Sequence, residues 1–328
     1  MGHATQRIEL IGAAIGEGAP DGRTRNGPGS LRRWGLGRRL TVRGRVVGWG
    51  PQVASDPDLR PRGPMAVVAE FSPRLAAAVG TALRAGRMPV VVGGDHSCAV
   101  GTWSAAAASL READPEARLG LVWIDAHLDA HTPETSESQM PHGMALAALL
   151  GHGVPELTGV AGPAPKLRPE DVVLIGPRSW ETGEAALLAR LGVRVLTADE
   201  VVRRGFADCM REAVERVCER TTGWGVSFDL DALDPRDAPG TGVTVAEGLR
   251  LEEVTLALHG LGCRSRFVAA ELVEYNPSLD TDRITAGAAE RVLGALLDRR
   301  DRQAPASGPG LERRDAAARG RPSPADAT

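Results

Sequence analysis

Short apolar runs alternate with longer amphipathic segments along most of this chain. The apolar runs are rich in Val, Ile and Leu, and they predict strands at residues 8–14, 45–49, 88–92, 119–124, 171–175, 193–196, 225–228 and 267–272. Several runs are continuously apolar, which is typical of strands covered on both faces. The amphipathic segments predict helices at residues 28–34, 65–85, 99–111, 143–150, 181–191, 206–221, 251–261 and 282–299. The repeated strand–helix order predicts an α/β fold with a mostly parallel central sheet and helices on both faces.

The segments between and after these elements predict the domain organisation. The Pro- and Gly-rich stretches 50–64 and 162–169 predict surface loops, and Asp280 or Thr281 is a candidate cap for the last helix. Residues 301–328 hold a single large aliphatic side chain among many Ala, Gly, Pro, Ser and Arg. Such a segment cannot bury enough apolar surface to offset the entropy of ordering it. We therefore expect a single domain at residues 1–300 and a disordered C-terminal tail at residues 301–328.

The composition permits a large core and narrows the choice of partners. The 328 residues are 42% hydrophobic and 25% charged, with a formal net charge of −3 that does not favour a nucleic-acid partner. No stretch reaches about 18 apolar residues, and the N-terminus lacks the apolar region of a signal peptide, so we expect no membrane span. The four cysteines form no CxxC pair, which favours a reducing cytoplasm. The only lysine is Lys166, so covalent catalysis by lysine is disfavoured.

Polar clusters follow four of the predicted strands. They read GGDHS at residues 93–97, DAHLDAH at 125–131, DLDALDP at 229–235 and EYNP at 274–277. Open parallel sheets bind their ligands at the carboxyl ends of their strands. Alternate residues of an extended segment share one face, so Asp125, His127 and Asp129 converge, as do Asp229 and Asp231. Burying these carboxylates unpaired is costly, and two divalent cations bridged by carboxylates would remove that cost.

The types of donor atom indicate which metal such a centre would hold. Imidazole and carboxylate donors without a thiolate suit Mn²⁺ better than a structural zinc site. Each motif alone also fits a purely structural role, because a histidine after Gly-Gly-Asp is commonly a turn or capping residue. Asp229 alone could equally cap a helix or close an Asx turn. The four clusters together favour the metal centre.

Three of these segments resemble the signatures of the arginase/agmatinase (ureohydrolase) family. They are GGDHS at residues 93–97, DAHLD at 125–129 and SFDLDALDP at 227–235, and they occur in the order seen in the family. The N-terminal segment ELIGAAIGEGAPDGRTRNGPGSLR and the late segment VEYNP resemble further family segments. The resemblance extends from about residue 8 to residue 297 and is greatest to bacterial arginases. It implies a three-layer αβα sandwich, and it implies hydrolysis of a guanidino group at a binuclear manganese centre.

By this resemblance, six side chains hold two Mn²⁺ ions per subunit: His96, Asp125, His127, Asp129, Asp229 and Asp231. His96 and Asp129 would bind only one of the ions. His127 and Asp231 would bind only the other, and the two remaining aspartates would bridge both. All six positions carry the residue type that the family pattern requires.

The resemblance also implies the catalytic roles. A metal-bridging hydroxide would attack the guanidinium carbon, and Asp129 would pass a proton to the leaving amine. Glu274 would pair with the guanidinium group, and His142 would shuttle a proton. The alternatives for the last two residues are a strand-end salt bridge for Glu274 and a loop hydrogen bond for His142.

The loop after DAHLD indicates which guanidino compound is the substrate. Its TPETSxS…HGM pattern is similar to that of arginases, in which hydroxyl groups matching Ser136 and Ser138 contact the substrate α-carboxylate. His131 stands where arginases have an asparagine, and an imidazole can still donate to a carboxylate. Ser-Trp-Glu replaces a usual Asp-Val-Asp, so Glu181 is the candidate for binding the α-ammonium group.

The resulting prediction is the hydrolysis of L-arginine to L-ornithine and urea. Agmatine or a guanidino acid such as 4-guanidinobutyrate is an alternative substrate for the same chemistry. A metal-binding protein without catalysis is disfavoured by the complete set of ligands. A deacetylase, which uses a single zinc ion, is disfavoured by His96 and Asp129. Family members are usually trimers or hexamers, so we expect a cytoplasmic homo-oligomer whose partner is a small guanidino substrate.

Overall fold

Eight strands form one sheet in the computed structural model, which describes residues 7–40, 46–262 and 264–298. They are β1 (Arg7–Ala14), β2 (Val46–Ala54), β3 (Met88–Gly93), β4 (Leu119–Ile124), β5 (Val172–Ile175), β6 (Arg194–Leu196), β7 (Gly223–Asp229) and β8 (Phe267–Val273). Their order is β2-β1-β3-β8-β7-β4-β5-β6, and every pair of neighbours is parallel. The predicted α/β class with a parallel central sheet is confirmed.

Helices pack on both faces of this sheet. They are α1 (Gly27–Trp34), α2 (Leu36–Arg39), α3 (Pro64–Arg84), α4 (Ala99–Ala113), α5 (Ala145–Leu149), α6 (Pro155–Thr158), α7 (Thr182–Leu191), α8 (Ala198–Arg204), α9 (Phe206–Glu219), α10 (Leu251–His259) and α11 (Ile284–Leu297). Short 3₁₀ turns lie at Gly22–Asn26, Pro57–Arg62, His96–Cys98, Pro141–Met144, Pro169–Asp171, Leu230–Ala232 and Arg264–Arg266. Helices α1, α9, α10 and α11 cover one face and α3, α4 and α5 the other, so the architecture is a three-layer αβα sandwich.

Each face of the sheet has its own hydrophobic core. On β3, Val90 and Val92 point into one core, whereas Val91 points into the other. Helix α9 contributes Val217 to the first core, and α3 contributes Phe71 to the second. All residues of β3, β4 and β7 are buried. This double burial is the reason that these strands are continuously apolar in the sequence.

Helix α3 has, by length and composition alone, the character of a membrane span. Its most apolar 18-residue window has a mean hydropathy of 1.2, and half of that window is buried inside the protein. Val68, Phe71, Leu75 and Val79 of α3 are fully buried and belong to the second core. The apolar composition of α3 is therefore explained by packing between the sheet and α4.

The structure corrects one predicted loop. Residues 50–64 were expected to form a surface loop, but β2 continues to Ala54 and a 3₁₀ turn follows. The strand β2 lies at the edge of the sheet, and its register with β1 shifts between the pairs Leu10–Trp49 and Gly12–Gln52. The irregularity accommodates a proline within the strand, because an edge strand tolerates a missing N–H group at a bulge.

Two other predictions concern the end of the chain. Asp280, one of the two predicted candidates, accepts hydrogen bonds from the backbone N–H groups of Thr285 and Ala286 in the first turn of α11, although Arg283 occupies the N-cap position itself. The predicted disordered tail at 301–328 lies outside the described residues. The predicted boundary of a single domain at residue 300 stays a prediction.

The polar clusters lie at one edge of the sheet because the four strands that precede them are neighbours. β3, β8, β7 and β4 are adjacent in that order, although β8 comes last in the chain. Leu272 pairs in register with Val92 on one side and with Phe228 on the other, and Phe228 pairs with Ile124. The residues that follow these four positions are therefore placed side by side at the carboxyl edge.

Candidate active site

His96 lies at the centre of a buried group of carboxylates. Its Nδ1 atom is 3.1 Å from Asp125 Oδ2, 3.0 Å from Asp129 Oδ2 and 3.1 Å from Asp229 Oδ2. None of these four residues is more than 5% exposed. Donor atoms about 2.1 Å from a divalent ion and at right angles to one another are about 3.0 Å apart. The spacing of these four donors suits a metal ion.

A second group of donors shares Asp125 with the first. His127 Nδ1 lies 3.5 Å from Asp125 Oδ1 and 3.2 Å from Asp231 Oδ2. The two oxygens of Asp125 thus face different histidines. The structure brings together all six side chains that the sequence singled out as metal ligands, and their donor atoms form two adjacent groups with metal-compatible spacing.

The hydrogen bonds of the site leave two buried atoms without a partner. They are His96 Nδ1 and Asp129 Oδ2, which are close to each other but have no hydrogen-bond geometry. A buried polar atom left unpaired costs about 1–3 kcal/mol. A cation between these atoms would satisfy both of them. The residues present therefore fit a metal centre.

The pKa values show how strongly the carboxylates act on the two histidines. Burial alone would lower the pKa of His127, but Asp231 and Asp125 outweigh burial and raise this pKa to about 12. Burial likewise opposes ionisation of His96, yet the surrounding aspartates raise its pKa well above the usual range. Burial and the neighbouring carboxylates raise the pKa of Asp229 as well. The cluster has an excess of negative charge that only cations or protons can offset.

The aspartates serve both as turn residues and as candidate ligands. Asp229 Oδ1 accepts a hydrogen bond of 2.8 Å from the backbone N–H of Asp231, whereas its other oxygen faces His96. Asp125 Oδ1 accepts a similar bond of 2.8 Å from the backbone N–H of His127. The capping role that the sequence left open for Asp229 is therefore real. It fixes the side chain without using the oxygen that faces the cluster.

Two residues that the sequence did not single out position these ligands. Trp123, on β4, stacks on the His96 ring with centroids 4.2 Å apart, and its Nε1 donates to Asp125 Oδ2 at 2.9 Å. The Arg178 guanidinium donates to the backbone carbonyls of Asp231 and Ala232 at 2.8 and 3.1 Å. Trp123 has the appearance of an ordinary core residue in an apolar strand, so only its contacts reveal this role.

His142 and Glu274 lie beside the cluster. His142 Nδ1 is 3.6 Å from Glu274 Oε1, and the same oxygen accepts a hydrogen bond of 2.9 Å from the backbone N–H of His96. Burial opposes ionisation of His142, but Glu274 raises its pKa to about 9. Asp129 and Glu274 have φ values of 50° and 64°, in the left-handed region that costs energy for residues other than glycine. Such strain is commonly found at functional sites.

The predicted substrate-binding residues fall into two groups. His131 Nε2 lies 3.4 Å from Glu181 Oε2 and 3.5 Å from Glu184 Oε1. The two glutamates form a reciprocal capping box at the start of α7. Glu184 was not predicted, although its position three residues after another glutamate and before an apolar run was a usable signal.

Ser136 and Ser138 form the second group, and their contacts lie within the loop. Their hydroxyl oxygens are 3.4 Å apart, and they accept hydrogen bonds from the backbone N–H groups of Gln139 and Met140. Among the described residues, no hydrogen bond joins either serine to His131 or Glu181. The structure thus does not bring the four predicted substrate-binding residues into one bonded set.

The fold and this site define a member of the arginase family, and comparison with known proteins establishes the membership. The family model described as "Arginase family" matches residues 6–297 of this chain. The chain is 40% identical to the arginase of Bacillus caldovelox over 298 residues, which are 88% of this chain and 97% of that protein. It is 38% identical to the arginase of Bacillus subtilis (strain 168) over 227 residues, or 69% of this chain and 74% of that protein.

Solved structures give the same result. The crystal structure of arginase from Bacillus cereus has a TM-score of 0.82 at 35% identity, and that of the Bacillus caldovelox enzyme has 0.81 at 37%. Each comparison covers 90% of this chain and 99% of the other. The family resemblance seen in the three motifs is confirmed.

Proposed function

We propose that this protein is an arginase that hydrolyses L-arginine to L-ornithine and urea with two bound Mn²⁺ ions. The observation that carries the proposal is the placement of His96 Nδ1, unpartnered and 3.0–3.1 Å from three carboxylate oxygens. Two of the relatives of this chain, from Bacillus caldovelox and Bacillus subtilis, are named arginases. The mixed imidazole and carboxylate donors support manganese over a structural zinc ion.

Six side chains would hold the two ions. His96 and Asp129 would hold one ion, and His127 and Asp231 would hold the other. Asp125 would be shared, since its two oxygens face different histidines. By the family resemblance, Asp229 would be the second shared ligand. When bound, two such ions lower the pKa of a coordinated water and supply a nucleophile near neutral pH.

Glu274 would bind the reacting end of the substrate. Its carboxylate is buried beside the cluster, and its Oε1 is held by the backbone N–H of His96. A planar guanidinium group and a carboxylate form strong charge-assisted hydrogen bonds. Glu274 would therefore hold the guanidinium carbon close to the aspartates and fix its orientation.

Asp129 and His142 would move protons. Asp129 Oδ2 has no hydrogen-bond partner and faces the cluster, so it can accept the proton released by the nucleophile and deliver it to the leaving amine. The His142 side chain lies next to Glu274 and is 21% exposed, which connects the buried site to solvent. His142 would then exchange protons between the product amine and bulk water.

The far end of the substrate would be recognised by the loop after β4 and the start of α7. We assign Ser136, Ser138 and His131 to the α-carboxylate and Glu181 to the α-ammonium group. His131 lies against the two glutamates of the capping box, which supports a second candidate, a guanidino acid without an α-ammonium group. In that case the glutamates would be occupied by the imidazole.

A urea assay separates these substrates. Purified protein loaded with Mn²⁺ would be given L-arginine, agmatine and 4-guanidinobutyrate, and kcat/KM would be compared. We expect L-arginine to be preferred by at least about tenfold, because a site built to bond a polar group rejects an analogue that lacks the group. No urea from L-arginine would contradict the proposal, and a preference for 4-guanidinobutyrate would favour the second candidate.

We also propose that the enzyme is a cytoplasmic homo-oligomer, a trimer or hexamer, that acts on a small molecule and not on nucleic acid or a membrane. The resemblance to a family whose members are usually trimers or hexamers supports this proposal. Light scattering on the purified protein would give the mass directly, and a monomer at micromolar concentration would contradict the proposal.

A further inference from the structure

A buried chain of hydrogen bonds lies behind His96, on the side away from the carboxylates. His96 Nε2 is 2.9 Å from Ser227 Oγ, and Ser227 Oγ donates to Glu271 Oε1 at 2.8 Å. Ser227 on β7 and Glu271 on β8 are paired in register, and both residues are completely buried. A carboxylate buried at this depth is costly unless it is fully partnered. The proposed reaction gives Glu271 no role.

The donors around Glu271 determine where the hydrogen atoms lie. Its Oε1 accepts a second hydrogen bond from Trp103 Nε1 at 3.2 Å, and its Oε2 accepts from Cys98 Sγ at 3.7 Å. An indole N–H can only donate, so Oε1 is an acceptor. Ser227 has one hydroxyl hydrogen, which it gives to Glu271. Only lone pairs of Ser227 Oγ therefore remain for His96.

The consequence for His96 concerns its two ring nitrogens. Because Ser227 can only accept from it, His96 Nε2 carries a hydrogen, and a neutral imidazole then has its lone pair on Nδ1. This is the nitrogen that faces the three aspartate oxygens. Trp123 fixes the plane of the ring by stacking, but stacking does not distinguish the two nitrogens.

We propose that Glu271, acting through Ser227, is a positioning residue that locks His96 in the tautomer able to bind the first metal ion. The inference rests on the metal centre of the proposed function. These hydrogen bonds fix the tautomer of His96 and therefore affect the first ion only. Among the described residues, the polar contacts of the His127 ring are made by its Nδ1 atom with Asp125 and Asp231, and no hydrogen bond holds its Nε2.

Two substitutions of Glu271 test whether an acceptor is what matters. In Glu271→Gln, the amide oxygen can still accept from both Ser227 and Trp103, so we expect both Mn²⁺ affinities to stay within about threefold of the parent. Glu271→Met has a similar length and no acceptor, so Ser227 can donate to His96 Nε2 and favour the wrong tautomer. We expect affinity for the first ion to fall about 10–100-fold, with the second within about threefold.

Two further variants provide an independent route and a matched control. Ser227→Ala removes the intermediary itself and should weaken the same ion as Glu271→Met. Cys98→Ala removes a donor to the same carboxylate without touching His96 and should leave both affinities unchanged. Binding would be measured by titrating Mn²⁺ into the metal-free full-length protein in a calorimeter. Electron paramagnetic resonance would follow the change from a coupled pair of ions to a single ion.

Each outcome of these titrations supports or overturns the lock. If Glu271→Met binds both ions as tightly as the unsubstituted protein, the lock is overturned. Equal losses of Mn²⁺ affinity in Glu271→Gln and Glu271→Met would also overturn it, because they would indicate that only the charge of Glu271 matters. If Glu271→Met does not fold, parental affinity in Ser227→Ala overturns the lock, and selective loss of one ion supports it. Urea release by the parent is measured in parallel. Two bound ions without urea would contradict the proposed activity, whereas the lock is judged only from differences between variants.

Discussion

The indole ring of Trp123 lies nearly parallel to the imidazole of His96, with 4.2 Å between the ring centroids and 13° between the planes. The same indole donates through Nε1 to Asp125 Oδ2, which in turn is 3.1 Å from His96 Nδ1. One side chain on β4 thus holds two candidate ligands in position. Groups that orient metal ligands commonly change metal affinity about 10–100-fold when they are removed.

Trp123→Phe should therefore weaken metal binding. The phenyl ring keeps part of the stacking surface on His96 but loses the N–H that fixes Asp125. We expect about tenfold weaker Mn²⁺ binding, measured by competition with a chelator. Trp103→Phe is the control, because it makes the same substitution in the same core at an indole that donates to Glu271 and not to Asp125. An unchanged affinity in Trp123→Phe would show that the Asp125 contact is dispensable.

Removal of the metal should lower the thermal stability. In the metal-free protein, burial and the repulsion from Asp231 and Asp125 raise the pKa of Asp229 well above its usual range. A ligand that binds only the folded state stabilises it by about 2.7 kcal/mol at a concentration of 100 Kd. Scanning calorimetry should show a lower Tm after chelation and recovery on adding Mn²⁺.

A variant outside the ligand set controls the stability experiment. His142→Asn keeps all six candidate ligands, so its Tm should rise on adding Mn²⁺ by as much as that of the parent. If chelation leaves the Tm of both proteins unchanged, the cluster does not bind a metal ion that stabilises the fold.

Metal affinity should rise with pH. Asp231 and Asp125 outweigh burial and raise the pKa of His127 to about 12 in the metal-free site, so this imidazole is protonated at neutral pH. A histidine ligand must be unprotonated at the nitrogen that binds the metal, so binding expels the proton, and each proton released strengthens apparent affinity by about tenfold per pH unit. Calorimetric titrations in buffers of different ionisation enthalpy count the protons. Binding at pH 7 without proton release would contradict this expectation.

Loss of the imidazole of His142 should slow turnover more than substrate binding. His142→Asn removes the proposed proton carrier while leaving the metal ligands in place. General acid–base groups contribute about 10²–10⁴-fold, so we expect kcat to fall by about 10²-fold with little change in KM. Because the side chain is partly exposed, imidazole in the buffer should restore part of the activity. A large increase in KM with normal kcat would assign His142 to substrate binding instead.

The only lysine of the chain should contribute to stability and not to catalysis. Lys166 is 2% exposed, and its ammonium group donates to the backbone carbonyls of Thr158, Gly162 and Pro163. Lys166→Met leaves these carbonyls without their donor, at a cost of about 1–3 kcal/mol. Chemical denaturation should show this loss, and kcat of the folded fraction should be unchanged. Lys166→Arg keeps a charged donor, so its free energy of unfolding should fall by less than that of Lys166→Met.

Most of the candidate metal ligands could be predicted from the sequence because their arrangement is local. Asp125, His127 and Asp129 lie within five residues directly after the buried strand β4, so they reach the same edge of the sheet. The expected extended conformation is wrong, because β4 ends at Ile124 and Asp129 has a φ of 50°. The continuous apolar runs likewise predicted a sheet covered on both faces. Only the second half of the edge strand β2, residues 50–54, was missed, because a proline and irregular pairing weaken the pattern of a regular strand there.

Residues that act by supporting others could not be predicted in this way. Glu271 contacts Trp103 and Cys98, which lie 168 and 173 residues away in the chain, and no local pattern marks such pairs. Trp123 has the composition of a core residue, and its two contacts depend on the position of the His96 ring.

The sequence by itself determined the chemical types of the donors, their spacing after each strand and the class of fold. Only the tertiary structure decided that β8 lies between β3 and β7, which places Glu274 beside His96 and Glu271 behind Ser227. The physical reason is that residues close in the sequence stay close in space, whereas the order of strands depends on how the whole chain buries its apolar surface.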